Sequence, residues 1–250
     1  AVYGADFKTS YLAQLALVLN LLGYADQATE VAENEIARTK ALGHAFTYCH
    51  ALTWSGQAYA LTRQFERIAQ RSPELLALSS EHGFSVWSSN GKTIHGASLA
   101  HHGDLGEGIS YLEEGIGEYR RTGAVFGLAF FSPPLAQAVA RQGQWDYAGK
   151  LVVEIQDVVE RTQERWFEAE VLRLQGDLAL QQHGSGAAAE IEALFRRSIH
   201  VARAQEAKLW ELRSSVSLGR LWQDQGKTTE ARNLLAGVYS WFTEGFYTPD

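Results

Sequence analysis

GASLAHHGDLGEGISYLEEG, residues 96–115, decides the fold. Gly96 and Leu99 lie three apart, as residues on one face of a helix do, and Gly103 then interrupts the pattern. Glycine accepts the left-handed backbone that closes a helix, a conformation that costs other residues energy. Apolar residues resume at Leu105, Ile109, Leu112 and Ile116, again on one helical face, with Gly108 and Gly115 among them. The stretch therefore predicts two helices joined by a tight turn, with small residues where their axes cross closely.

Outward from there, the unit repeats. Small residues stand at Ala16, Gly56, Gly96, Ala136 and Gly176, 40 residues apart, and then at Gly219, 43 further on. The three extra residues fall in the small-residue run His183-Gly184-Ser185-Gly186-Ala187-Ala188-Ala189. A second series, Ala28, Ile68, Gly108 and Ala148, keeps the same period and resumes at Ile191 and Ala231. Turn signals at Gly23, Arg63-Gln64, Gly103, Gly143, Gly184 and Gly226 alternate with those at Gly43, Gly83, Gly123, Gln163-Glu164 and Gln205-Glu206. Between them lie apolar-periodic segments such as Leu15-Leu19-Leu22 and Leu234-Leu235-Val238. No segment alternates in the manner of a strand. The expectation is an all-α chain: an α-solenoid of about six antiparallel hairpins, twelve helices, joined by turns of two or three residues. The repeats span about 5–43, 44–83, 84–123, 124–163, 164–206 and 207–245 of a single domain, 1–250.

Composition agrees and narrows the function. The chain is 46% hydrophobic, 11% aromatic and 20% charged, which is enough apolar material for an extensive core. Its formal charge is −7 and no run of Lys or Arg marks a phosphate-binding face, so nucleic acid is not an expected partner. No apolar stretch approaches the roughly 18 residues of a membrane span, and no signal peptide is evident. The single cysteine, Cys49, has no internal partner, which fits a cytoplasmic protein. A first residue Ala1 and the absence of methionine suggest a piece of a longer protein.

The pattern resembles the tetratricopeptide (TPR) family. Its small residue in the first helix, the large residue three later and the turn glycine appear as Leu218-Gly219, Trp222 and Gly226, followed by Ala231 and Leu235. The period of 40 exceeds that family's 34. Residues 218–246, from Leu218 through Trp241-Phe242 to Phe246, also look like the C-terminal tail of bacterial signalling ATPases and class III adenylyl/guanylyl cyclases. This resemblance implies a right-handed superhelix and a regulatory scaffold, and it carries over no catalytic residue.

Several local patterns invite a chemical reading. Gly91-Lys92-Thr93 looks like the end of a phosphate loop, but Val86 stands where the first glycine would be and the segment sits in a predicted helix. His95, His101 and His102 lack acidic or thiol partners at ligand spacing, and His44 and His50 beside Cys49 fare no better. Glu113-Glu114 is expected on a solvated face. Ser132-Pro133-Pro134 falls inside a helix predicted over about 124–141, where the prolines either kink it or restart it, re-aiming Phe130 and Phe131.

The TPR face assignment points four positions of each first helix inward: six and three before the small residue, and one and four after it. It selects His50, Thr53, Gln57, Asn90, Thr93, Gln137, Arg173, Asp177, Arg213, Arg220 and Gln223 as a partner-binding groove. The expected function is non-catalytic: a protein–protein interaction scaffold binding a peptide or a domain of the parent protein, with no metal or cofactor. The alternatives are a small-molecule sensor, with an apolar pocket around Trp54, Trp87 and Phe130, and an (α/α)6 toroid enzyme. The short turns leave the enzyme little from which to build a site.

Overall fold

The computed structural model describes residue 4 and residues 6–249. All regular structure among them is helical. Two compact units emerge: residues 4 and 6–20 with Tyr24–Val125 and Gly245–Pro249, and Leu21–Gly23 with Phe126–Glu244.

The first unit holds α1 (Phe7–Leu22), α2 (Ala25–Leu42), α3 (Ala45–Leu61), α4 (Phe65–Glu81), α5 (Ser85–His102) and α6 (Leu105–Arg121). Its turns are two or three residues long, so sequential helices pack antiparallel. Gly103 ends α5 at φ 104°, and its N–H returns to the carbonyls of Leu99 and Ala100. Where the period places a turn without glycine, Arg63 takes the same left-handed backbone at φ 55°. The helix α4 runs unbroken through Pro73. Buried Ile36, Leu52, Tyr59, Ile68, Leu75, Trp87 and Ile94 form the core.

The glycines of residues 96–115 do what their spacing predicts. A Cβ on Gly96 would lie 2.7 Å from the carbonyl oxygen of Gly108, and one on Gly115 would lie 2.7 Å from that of Ser89. The helices α5 and α6 thus cross backbone against backbone. Gly56 serves a different neighbour: its missing Cβ makes room for Ile94, 3.0 Å away on the next repeat's first helix.

The second unit holds α7 (Leu128–Phe131), α8 (Pro133–Arg141), α9 (Trp145–Thr162), α10 (Glu168–His183), α11 (Ala188–Ala204), α12 (Lys208–Asp224) and α13 (Thr228–Tyr239). A 3-10 turn, Arg165–Phe167, leads into α10, and another, Gly184–Ala187, absorbs the small-residue run. Gln163 and Glu206 take φ 59° and 56° at turns that lack glycine. Buried Ile191, Phe195, Ile199, Leu218, Leu221 and Trp222 build a core between α11, α12 and α13.

One expected helix is corrected. The segment expected to be helical over 124–141 instead begins at Leu128, after Gly127 at φ 84°, and breaks after Phe131. A fresh helix then starts with Pro133 and Pro134 in its first turn, where a missing N–H leaves no intrahelical bond unmade. Leu135 and Ala136 donate to the Ser132 carbonyl at 3.1 and 3.2 Å. The prolines restart the helix and do not kink it. With α7 and α8 counted as one broken element, the described residues form twelve helices in six hairpins, and the fold is a TPR-like α-solenoid.

Candidate partner-binding site

In the first unit α3 is enclosed on nearly every side, and its polar residues are consequently taken out of water. Of the predicted positions, Thr53, Gln57 and Thr93 are buried, and His50 and Asn90 are nine-tenths buried or more. They do not stand alone. Trp87 of α5 meets the His50 ring edge-on at a centroid distance of 5.2 Å, and the Trp54 ring lies tilted to it at 6.1 Å. Phe46 packs on Trp87 at 5.3 Å and on Phe84 at 5.1 Å, completing an aromatic wall.

Five polar atoms in this cluster have no hydrogen-bond partner: His50 Nδ1, Thr53 Oγ1, Trp54 Nε1, Trp87 Nε1 and Asn90 Oδ1. Each buried group left so costs on the order of 1–3 kcal/mol, and native proteins leave few of them. All five of these atoms stand on the neighbouring helices α3 and α5. Their chemistry is complementary: the two indole N–H groups only donate, Asn90 Oδ1 only accepts, and Thr53 and His50 can take either part. Burial pushes the His50 imidazole down to about 4, although Glu35 nearby pulls the other way, so the ring is neutral near pH 7. Glu35 is held by Arg38, at 2.9 and 2.7 Å.

The second unit fills the equivalent positions differently. Arg173 of α10 is buried and makes a bidentate pair with Glu170, 2.7 Å on each arm, and also holds Asp177. Arg213 of α12 reaches Glu170 at 3.5 Å while lying 5.3 Å over the Trp210 ring. Here the charges satisfy one another, and the cluster ties α10 to α12. Phe130 packs on Trp166 and Phe167 at 5.7 and 5.4 Å, and the Trp210 indole donates to the Trp166 carbonyl. Gln137, Arg220 and Gln223 are exposed.

Sequence reasoning passed over Glu170. It stands six before Gly176, as His50 does before Gly56, so the register that found His50 also marks it. Trp54 and Trp87 fall outside the four inward offsets. Their signal was aromatic density alone.

The other local patterns have structural explanations. Lys92 lies inside α5 and pairs with Glu114 at 2.5 Å and Glu118 at 2.6 Å. His95 Nδ1 meets Ser72 Oγ at 2.9 Å, His102 Nδ1 meets the Ser98 carbonyl at 2.8 Å, and His101 stacks on Phe65. Among the described residues no group of three His, Cys, Asp or Glu could hold a metal ion, and no helix is long and apolar enough to cross a membrane.

No family model matches the chain. No curated protein matches it either. Among solved structures it resembles the apo form of RapI, with a TM-score of 0.68 over 96% of this chain and 85% of that one. At 10% identity, the likeness is one of fold. A putative kinesin light chain from Podosopora anserina, with nearly identical TPR-like repeats, aligns over 94% of both chains at 17% identity and a TM-score of 0.47, too loose a match to bear on the argument.

Proposed function

We propose that this domain is a non-catalytic interaction module, and that the face shared by α3 and α5 takes a segment of peptide. The observation that carries this reading is the set of five unpaired hydrogen-bonding atoms at His50, Thr53, Trp54, Trp87 and Asn90 among aromatic rings. The five atoms have almost no surface open to solvent, so a guest reaches them only where the side chains over them swing aside. Its backbone then offers what they lack: carbonyls for the two indole N–H groups and an amide N–H for Asn90 Oδ1. The rings would hold an apolar or aromatic side chain of the guest. The cluster's imidazole is neutral, so a strongly anionic guest gains nothing from it.

We read the parent as a bacterial cytoplasmic signalling protein, in which the domain serves as regulatory scaffold. That wider reading is supported by the likeness of residues 218–246 to the tails of signalling ATPases and cyclases. The groove would extend to Gln57, Thr93 and Gln137, and to the ionic row Arg173, Asp177, Arg213, Arg220 and Gln223.

A displayed random-peptide library panned on the whole chain tests the site. Selection should enrich a family of related peptides, and a Trp87→Phe, Asn90→Ala double variant of unchanged helicity should fail to retain it. Equal retention by the variant would refute the site. Stabilisation by a metabolite in a thermal-shift screen, with no peptide enriched, would instead favour a small-molecule sensor.

A further inference from the structure

The lead-in to α1 is tied down by groups from two other helices. The Asp6 backbone N–H donates to Thr47 Oγ1 of α3 at 3.2 Å. Its carboxylate accepts from Arg38 of α2 at 2.5 Å and from the Thr9 hydroxyl at 3.3 Å. Arg38 also donates to Thr9 Oγ1 at 2.7 Å and is held in turn by Glu35. Gly4 stands at φ 70°, a backbone that glycine adopts freely, and a Cβ there would lie 2.9 Å from the Phe46 ring.

Asp6 also begins α1: its carbonyl accepts from the Ser10 N–H at 3.4 Å, as an N-cap does. A cap accounts for Thr9 and Ser10, and for nothing on α2 or α3. The 40-residue period puts Gly4 in register with Phe84, so Phe46 is touched by one register position of both neighbouring repeats. Phe84 meets it ring to ring at 5.1 Å, and Gly4 meets it with backbone alone. From Phe46 the contacts lead inward. Its ring packs on Trp87 at 5.3 Å, and Trp87 packs on His50 at 5.2 Å. What fastens the lead-in beside them is an ion pair whose side chains are 27% exposed at Arg38 and 39% at Asp6. Pairs so open to water are weak and screened by salt, so this tie can part while the helices stay folded.

We infer that Gly4 and Asp6 form a strap, fastened by Arg38 and Thr47, that shuts the Phe46 side of the aromatic cluster and opens it on letting go. The inference rests on the reading of that cluster as a peptide site and adds how entry to it is controlled.

Asp6→Asn keeps a good cap and loses the ion pair, and adding Thr47→Val removes the second tie. Hydrogen exchange of the Trp87 indole N–H, followed by NMR on the whole chain, should quicken about fivefold in Asp6→Asn and further in the double variant. The amides of Ala13–Asn20 in α1 should keep their protection. Indole exchange at the wild-type rate in both variants overturns the inference. So does a quickening that the α1 amides share, since the helix and not the strap has then opened. Salt gives the same test without substitution. Sodium chloride at about 1 M should quicken Trp87 exchange in the wild type and leave Asp6→Asn unmoved, and a wild type indifferent to salt overturns the strap. Guest binding separates this claim from the one beneath it. Peptides enriched on the wild type should associate faster with Asp6→Asn. Peptides that bind both proteins at one rate overturn the strap and leave the peptide site standing. A library that enriches nothing, with exchange responding as stated, supports the strap and removes the peptide site.

Discussion

Replacing Gly108 by alanine puts one methyl group where α5 and α6 cross backbone against backbone. The added Cβ would sit 2.7 Å from the Ala100 nitrogen, and 2.9 Å from both the Ala100 Cβ and the Gly96 carbonyl oxygen. All three lie on or next to backbone, so no side chain can swing aside. The helices must separate, and overpacking of this kind costs about 1–3 kcal/mol. Against it stands the gain from replacing a helical glycine by alanine, about 0.5–1 kcal/mol. The net expectation is a loss of up to about 2.5 kcal/mol. The same helix supplies the control. A Cβ on Gly117 meets nothing within 4 Å, so Gly117→Ala keeps the propensity gain alone and should stabilise by about 0.5–1 kcal/mol. Urea unfolding of the two variants, followed by far-UV circular dichroism, should shift the midpoint in opposite directions at constant m. If both substitutions stabilise alike, α5 and α6 do not approach as described, and the reading of residues 96–115 fails with them.

Three further outcomes follow from the buried groups. His50 has its pKa lowered to about 4 by burial, so the unfolded chain binds the proton first and stability falls as pH drops below about 6.5; the loss amounts to about 3 kcal/mol by pH 4. His50→Gln should remove that part of the acid dependence, and a pH-independent difference between wild type and variant in urea melts would contradict it. Cys49 is fully buried and its thiol is pushed up to about 11, so alkylation by iodoacetamide at pH 8 should await unfolding; rapid labelling of the native chain would show that α3 is not enclosed. Glu170→Ala removes the bidentate partner of Arg173 and a contact of Arg213, while Asp177 still holds Arg173, and should cost about 1–3 kcal/mol. The double variant Glu170→Leu, Arg173→Met should recover most of it, and equal destabilisation by both would deny the pair its buried character.

The fold was legible because the signal is repeated. One glycine means little, but Gly56, Gly96 and Gly176 in phase with Gly108 and Ala148 specify which helix pairs cross and how closely. The period also placed turns at Arg63, Gln163 and Glu206, where composition is silent and the backbone is nonetheless left-handed. Repeat four was harder. Proline chemistry allowed a kink or a restart, and the choice rested on Gly127 and the turn before it, which no period predicts. The site was only half legible. A face rule states which way His50 or Thr53 points from its own helix, but not which neighbour closes over it. The contrast between the unpaired atoms at His50 and Asn90 and the saturated ions at Arg173 and Arg213 depends on partners one repeat away. Trp87 enters the cluster through such a contact and not through its own register.

The most direct test of the central claim watches the two indoles. In a proton–nitrogen spectrum of the chain, assigned through Trp54→Phe and Trp87→Phe, a peptide selected on the protein should shift both indole N–H signals downfield in one saturable titration. It should leave Trp145 and Trp241 unmoved. Saturable binding that leaves the Trp54 and Trp87 signals in place would contradict the account, because the guest would then be held somewhere other than the face shared by α3 and α5.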